Sequence, residues 1–223
     1  MHRPSSTRGS ARTGGRALQG FTLIELLAVM LIIGILMAFL VPRIPAAIDR
    51  ANVTSCKGNM RSISEGLIEY RAKYKKMPSE SGVGFVAALI TDKVWENTES
   101  SAEKLTCPGV ETDALIGLQG IARDEWFADR EIIDGSFSAY AGRDMKEHPF
   151  RTYPISGKEA LVADDNDGGP NHRTATVVLW GDGTVRELEL VDLQKSGVLT
   201  EEDQFIPVGA ESPVEALTKL SLD

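Results

Sequence analysis

The sequence predicts an α+β protein: a long N-terminal α-helix, half transmembrane and half amphipathic, packed on a small antiparallel β-sheet head. Three observations carry this expectation. Residues 21–41 are almost uniformly apolar, residues 42–76 repeat apolar side chains at helical spacing, and residues 174–190 read as a β-hairpin. Charge follows the same partition. Residues 1–20 hold four arginines and no acid, whereas 77–223 hold twelve basic and twenty-eight acidic side chains, net −16. An acidic bulk of this kind argues against nucleic acid as a partner, which rewards clustered Lys and Arg. No internal repeat marks a solenoid. The expected organisation is a basic leader (1–20), a membrane span (21–41), an amphipathic continuation (42–76) and a soluble head (77–223).

The span Phe21–Val41 carries one charge, Glu25. At 1.5 Å per residue it reaches about 31 Å, enough for a bilayer core. A buried helix of a soluble domain would show a polar stripe, and this one has none. A cleavable export signal is the alternative, but typical apolar regions there run only ~7–15 residues. Here VPRIP follows directly, with no small-x-small cleavage site. Arginines before the span and Arg43, Arg50, Lys57 and Arg61 after it leave orientation undecided by charge.

Pro42 and Pro45 follow, and interior prolines kink or break a helix because proline lacks an N–H and clashes with the preceding turn. Val53, Cys56, Met60, Ile63, Leu67, Tyr70 and Tyr74 then recur at steps of three and four. That is one apolar stripe, either a face packed on the head or a short coiled-coil seam. Lys75-Lys76 and Pro78 close the helix.

In the head, 85–95 predicts a short helix and 97–104 a polar loop before LTCPG. A turn at Asp134-Gly135 precedes a strand bearing Tyr140, and a further strand covers about 159–163. The hairpin TATVVLW-GDG-TVRELEL turns at Asp182-Gly183. Residues 199–203 and 212–220 look like short capped helices, the second with Ser212 as N-cap and Pro213 at N1.

The boundary GFTLIELL, Gly20–Leu27, resembles the type IV pilin and type II secretion pseudopilin class: a short basic leader, a Gly, an aromatic residue, then T-L-I-E-L-L opening an apolar helix. The resemblance implies a pilin-like fold, cleavage after Gly20 by a prepilin peptidase and N-methylation of Phe21. It also implies a cytoplasmic leader, a single-pass protein of the inner membrane, and an extracytoplasmic head. Partners implied are the peptidase, other copies and other pseudopilins in a filament, the inner-membrane assembly platform and membrane lipid. Physically, an ionisable side chain inside a span costs ~2.5–3.5 kcal/mol at the centre and less near an end. Glu25 can offset that by pairing with the new α-amino group of Phe21 on a neighbouring subunit, and the family pattern gives Glu25 this register-setting role.

Cys56 and Cys107 are the two cysteines of the chain. In an exported domain they permit one disulfide, tying the helix to LTCPG, or two independent buried thiols. Related pseudopilin-like sequences place cysteines similarly. Asp164, Asp165 and Asp167, on a Gly-containing loop, are a candidate calcium locus without EF-hand spacing. Calcium in a head loop is a property of major pseudopilins as a class, and the alternative is a solvated turn. His172, nine residues and then Asp182-Gly183 resemble the H-x9-D-G element of a large bacterial pilin-like family. With no nucleophile beside them, a structural His and a turn-forming Asp are expected, and no catalytic residues. The first functional reading is a type II secretion pseudopilin. A type IV pilus subunit is second, and a non-polymerising membrane-tethered binding module third.

Overall fold

The computed structural model describes residues 21–223, and the chain divides into two compact units, one reaching Ile44 and one spanning Pro45–Asp223. The first unit is α1 (Leu23–Leu40), followed by a 3-10 turn over Val41–Arg43 with Pro42 inside it. At the prolines the chain passes from α1 through this tightened 3-10 turn directly into the next helix. Every large apolar side chain of α1 is exposed, from Leu23 at 82% to Leu40 at 62%. Of the described helices, the stretch Leu23–Tyr74 is long and apolar enough at its N-terminal end to cross a membrane, by length and composition.

From Pro45 on, the second unit contains α2 (Ile44–Tyr74), whose buried side chains include Val53, Cys56, Met60, Ile63, Leu67 and Tyr70. These are the stripe read from the sequence, and they join one core with α3 and the sheet. Tyr74 departs from it: it is exposed, with its hydroxyl donating to the Asp92 carbonyl. Helix α2 stops two residues before Lys76 because Lys75 adopts a left-handed φ of 58°.

Helix α3 (Gly82–Thr91) starts before the expected Phe85 and ends before Trp95. Lys93, at φ 56°, turns the chain so that Val94 and Trp95 both donate to the Leu89 carbonyl. The expected loop at 97–104 contains a short helix, α4 (Glu99–Glu103), capped by the Thr98 hydroxyl accepting from Ser101 N–H. Asp134 caps a 3-10 turn over Gly135–Phe137, which delays the next strand to β1 (Tyr140–Arg143).

Four further strands complete a fully antiparallel sheet of order β4-β3-β2-β1-β5: β2 (Ala160–Asp164), β3 (Ala175–Trp180), β4 (Val185–Glu189) and β5 (Leu220–Ser221). The hairpin lies where the sequence places it. Gly183 has φ 83°, and the Asp182 carboxylate accepts from Thr184 N–H and Oγ.

Strands β2 and β3 are buried at every position. The reason is a second core on the opposite face, where Ala141, Ala163, Val178 and Trp180 meet Leu199, Ile206, Leu217 and Leu220. The C-terminal segment is therefore a covering layer, and it differs from expectation in detail. A short helix, α5 (Leu190–Lys195), follows β4 directly. Residues 199–203 form a turn closed by Asp203 accepting from Thr200 N–H and Oγ, not a helix. Residues 212–220 likewise form turns and end in β5, because Leu220 pairs with Arg143 at the sheet edge and is buried there. Ser212 still accepts from Val214 N–H, the local capping bond without the helix.

Candidate functional sites

Two sites emerge, one at the start of α1 and one inside the head. At the first, Thr22 and Glu25 form a reciprocal capping box. The Thr22 hydroxyl accepts from Glu25 N–H at 3.3 Å, while Glu25 Oε2 accepts from Thr22 N–H at 2.9 Å and from its hydroxyl at 2.7 Å. Among the described residues nothing bonds Oε1. Glu25 thus has a local role that the sequence reading missed, and keeps one oxygen for another partner. T-x-x-E was the available signal. Phe21 is 83% exposed, and Gly20 lies outside the described residues.

The second site joins residues that the sequence reading had kept in three separate ideas. Cys56 on α2, Cys107 in the loop after α4, Asp164 at the end of β2 and His172 just before β3 are all buried. Their ligand atoms lie within 4.8 Å of one another. Cys56 Sγ donates to Asp164 Oδ1 at 3.3 Å and sits 3.3 Å from the Tyr140 hydroxyl. Cys107 Sγ is 3.4 Å from His172 Nε2 and accepts from Gly109 N–H at 3.4 Å. His172 Nε2 is 3.5 Å from Asp164 Oδ2, which accepts from Val177 N–H at 2.7 Å. Both cysteines are free thiols here.

Burial dominates the electrostatics of this cluster. It pushes the Cys56 thiol up, and the Cys107 thiol and Tyr140 phenol well up. It also raises the Asp164 carboxyl, an effect opposed by His172 and the Val177 N–H. Gly109 makes the approach of LTCPG possible, since a Cβ there would lie 2.2 Å from the Asn171 carbonyl and 2.9 Å from the His172 ring.

Asp164, Asp165 and Asp167 do not bring their carboxylates to one point. Asp164 turns into the core, Asp165 is nearly buried and raised to about 6 by that burial, and Asp167 is exposed. The loop is wired instead through Asn166. Its amide donates to Thr176 Oγ and the Ile206 carbonyl, and its oxygen accepts from Asn171 N–H. In the H-x9-D-G element, His172 precedes β3 and Asp182-Gly183 follow it, so the two ends are held apart by the strand. A Cβ on Gly183 would lie 3.3 Å from both Ser64 Oγ and Tyr153 Oη. The turn thus abuts α2.

A family model described as the prokaryotic N-terminal methylation motif matches residues 16–41. The type II secretion system core protein G of Pseudomonas aeruginosa is 41% identical over 64 residues, covering 29% of this chain. The match spans 45% of that relative's own length. No solved structure matches the chain.

Proposed function

We propose that this chain, whose methylation motif and type II secretion relative support the pilin and pseudopilin family, is a structural subunit of a pilus-like filament. The more specific reading is a type II secretion pseudopilin, cut after Gly20, methylated on Phe21 and held in the inner membrane by α1 with its head outside. One observation carries the proposal: α1 buries none of its side chains and presents a single carboxylate, Glu25, one turn from Phe21.

An apolar helix with no internal partner needs lipid or other helices around it. Lipid suffices for the stored subunit, and helices of neighbouring copies suffice in a filament. Glu25 then matters twice. Its Oε2 closes the first turn of its own helix, where four backbone N–H groups otherwise lack acceptors. Its Oε1 is placed to receive the Phe21 ammonium of another copy, which removes two lone charges from an apolar surrounding. Pairing at one fixed position along α1 also fixes the axial step between copies.

The test is mass and N-terminal analysis of the protein from its native membrane, together with a Glu25→Gln variant. Expected are loss of residues 1–20, one methyl group on Phe21, and a processed variant that inserts but fails to assemble. Retention of Met1 would sink the reading, as would filaments of Glu25→Gln at the wild-type level. Secretion and motility phenotypes of a deletion separate pseudopilin from pilin.

A further inference from the structure

We propose that Cys56, Cys107, Asp164 and His172 form a closed, tetrahedral zinc site that joins α2 to the head. Zinc is bound by thiolate sulphur at about 2.3 Å and by imidazole nitrogen or carboxylate oxygen at about 2.0–2.2 Å. Around a tetrahedral ion those lengths separate ligand atoms by roughly 3.3–3.8 Å. Two of the contacts fall in that range, Cys56 Sγ to Asp164 Oδ1 at 3.3 Å and Cys107 Sγ to His172 Nε2 at 3.4 Å, and His172 Nε2 lies 3.5 Å from the other carboxylate oxygen, Oδ2. All four ligand atoms fall within 4.8 Å of one another. Two sulphurs, one imidazole and one carboxylate are a donor set suited to zinc and poorly suited to calcium or magnesium, which take oxygen.

The surroundings of each ligand match what a metal centre requires beyond its first ligands. Tyr140 Oη stands 3.3 Å from Cys56 Sγ, and Gly109 N–H donates to Cys107 Sγ. Val177 N–H holds Asp164 Oδ2, leaving Oδ1 toward the centre. Among the described residues the buried His172 Nδ1 has no hydrogen-bond partner, and it lies 3.9 Å from Asp49 Oδ1. With Nε2 on the ion, Nδ1 carries the proton, and the Asp49 carboxylate, 3.9 Å away, has to move closer to accept it. Asp49 is itself positioned by accepting from Arg173 N–H, next to His172 in the chain. A cleft of about 420 Å³ lined by Asn59, Cys107, Pro108 and Val110 lies on the Cys107 side of the cluster.

Binding replaces the two thiol protons with one Zn²⁺ and involves no redox step. The same sulphurs cannot also form the Cys56–Cys107 disulfide, so the two states exclude each other. The ligands come from α2 and the head and none from α1, so Glu25→Gln retains the site whatever becomes of assembly.

The full chain, purified in detergent under reducing conditions, is assayed for bound zinc and titrated with Co²⁺ and then Zn²⁺. Expected are one zinc per chain and a thiolate-to-cobalt charge-transfer band with tetrahedral d–d bands, displaced by zinc. Cys107→Ser loses the charge transfer from one sulphur. Asp49→Asn, which touches no ligand directly except through His172, weakens zinc about 10–100-fold and keeps the fold. A reduced, folded chain that takes up no zinc overturns the proposal. So does a cobalt complex without the thiolate band, or native protein isolated as the metal-free Cys56–Cys107 disulfide.

Discussion

Leu67 and Ile68 are consecutive on α2 and similar in size, yet Leu67 is fully buried and Ile68 is 50% exposed. Their alanine variants therefore weigh the two readings of the stripe, packed face against seam for another chain. Leu67 lies in the core that joins α2, α3 and the inner face of the sheet. Truncating a fully buried leucine costs about 2.7–5 kcal/mol, the upper part applying where the cavity cannot collapse. Neighbouring Gly66 already brings Leu89 and the Trp95 ring within 3 Å of where a Cβ would stand, so little room for relaxation exists. We expect about 3–4 kcal/mol for Leu67→Ala. In a unit of this size that lowers the melting temperature by roughly 6–16 °C. Ile68→Ala removes atoms already half in water and gains slightly in helix propensity, so it stays within about 0.5 kcal/mol of the parent. The assay is thermal and urea unfolding of the full chain in detergent, with near-ultraviolet circular dichroism reporting head packing. Equal losses in the two variants, or a loss at Leu67 that vanishes on dilution, would refute the packing argument and indicate an intermolecular seam.

Gly142→Ala should cost about 3 kcal/mol and lower the yield of folded protein, because its Cβ would stand 2.0 Å from the Gly82 carbonyl oxygen, a backbone atom that cannot swing away. Tyr153→Phe should cost about 1–3 kcal/mol by stranding the buried Ser64 hydroxyl that lies 2.5 Å from the phenol, measurable as a shift in the urea midpoint. Glu159 is held below its ordinary range first by Lys219 and then by Arg143, against partial burial. Its contribution is therefore present above the unfolded value of about 4.3 and is lost as pH falls through the lower folded value. Glu159→Gln should cost about 1.5–3 kcal/mol at pH 7, since Arg143 is nearly buried, and should flatten the acid limb of a stability-versus-pH curve.

How far the sequence could be read depended on whether each element is fixed locally. The α2 stripe and the Asp182-Gly183 turn each rest on residues within a few positions of one another, as does the Thr22–Glu25 capping box, whose T-x-x-E signal was there to read and was missed. The hairpin strands β3 and β4 followed from a β-branched run, an alternating run and the turn between them, while β1 was placed by the Asp134-Gly135 turn and begins later than expected because Asp134 caps an extra 3-10 turn. The C-terminal layer was misread because Ser212-Pro213 signals a helix start that is real as a hydrogen bond and overruled as an element. Burial of Leu217 and Leu220 against the second face of the sheet decides that segment. No local pattern records which face of a distant sheet lacks a cover.

By itself the sequence determined the apolar helix, its lone carboxylate and the acidic head, because hydropathy and helical period are properties of neighbours in the chain. Only the tertiary structure decided the fate of Cys56, Cys107, Asp164 and His172. They lie 51, 57 and 8 positions apart in sequence order, on a helix, a loop and the two ends of a strand connection. Alone, each reads as a buried thiol, half of a disulfide, a loop acid or a strand-capping histidine. Antiparallel pairing of β2 with β3 and the packing of α2 across the sheet bring their polar atoms together. Such convergence depends on distances set by packing, which the order of residues does not carry.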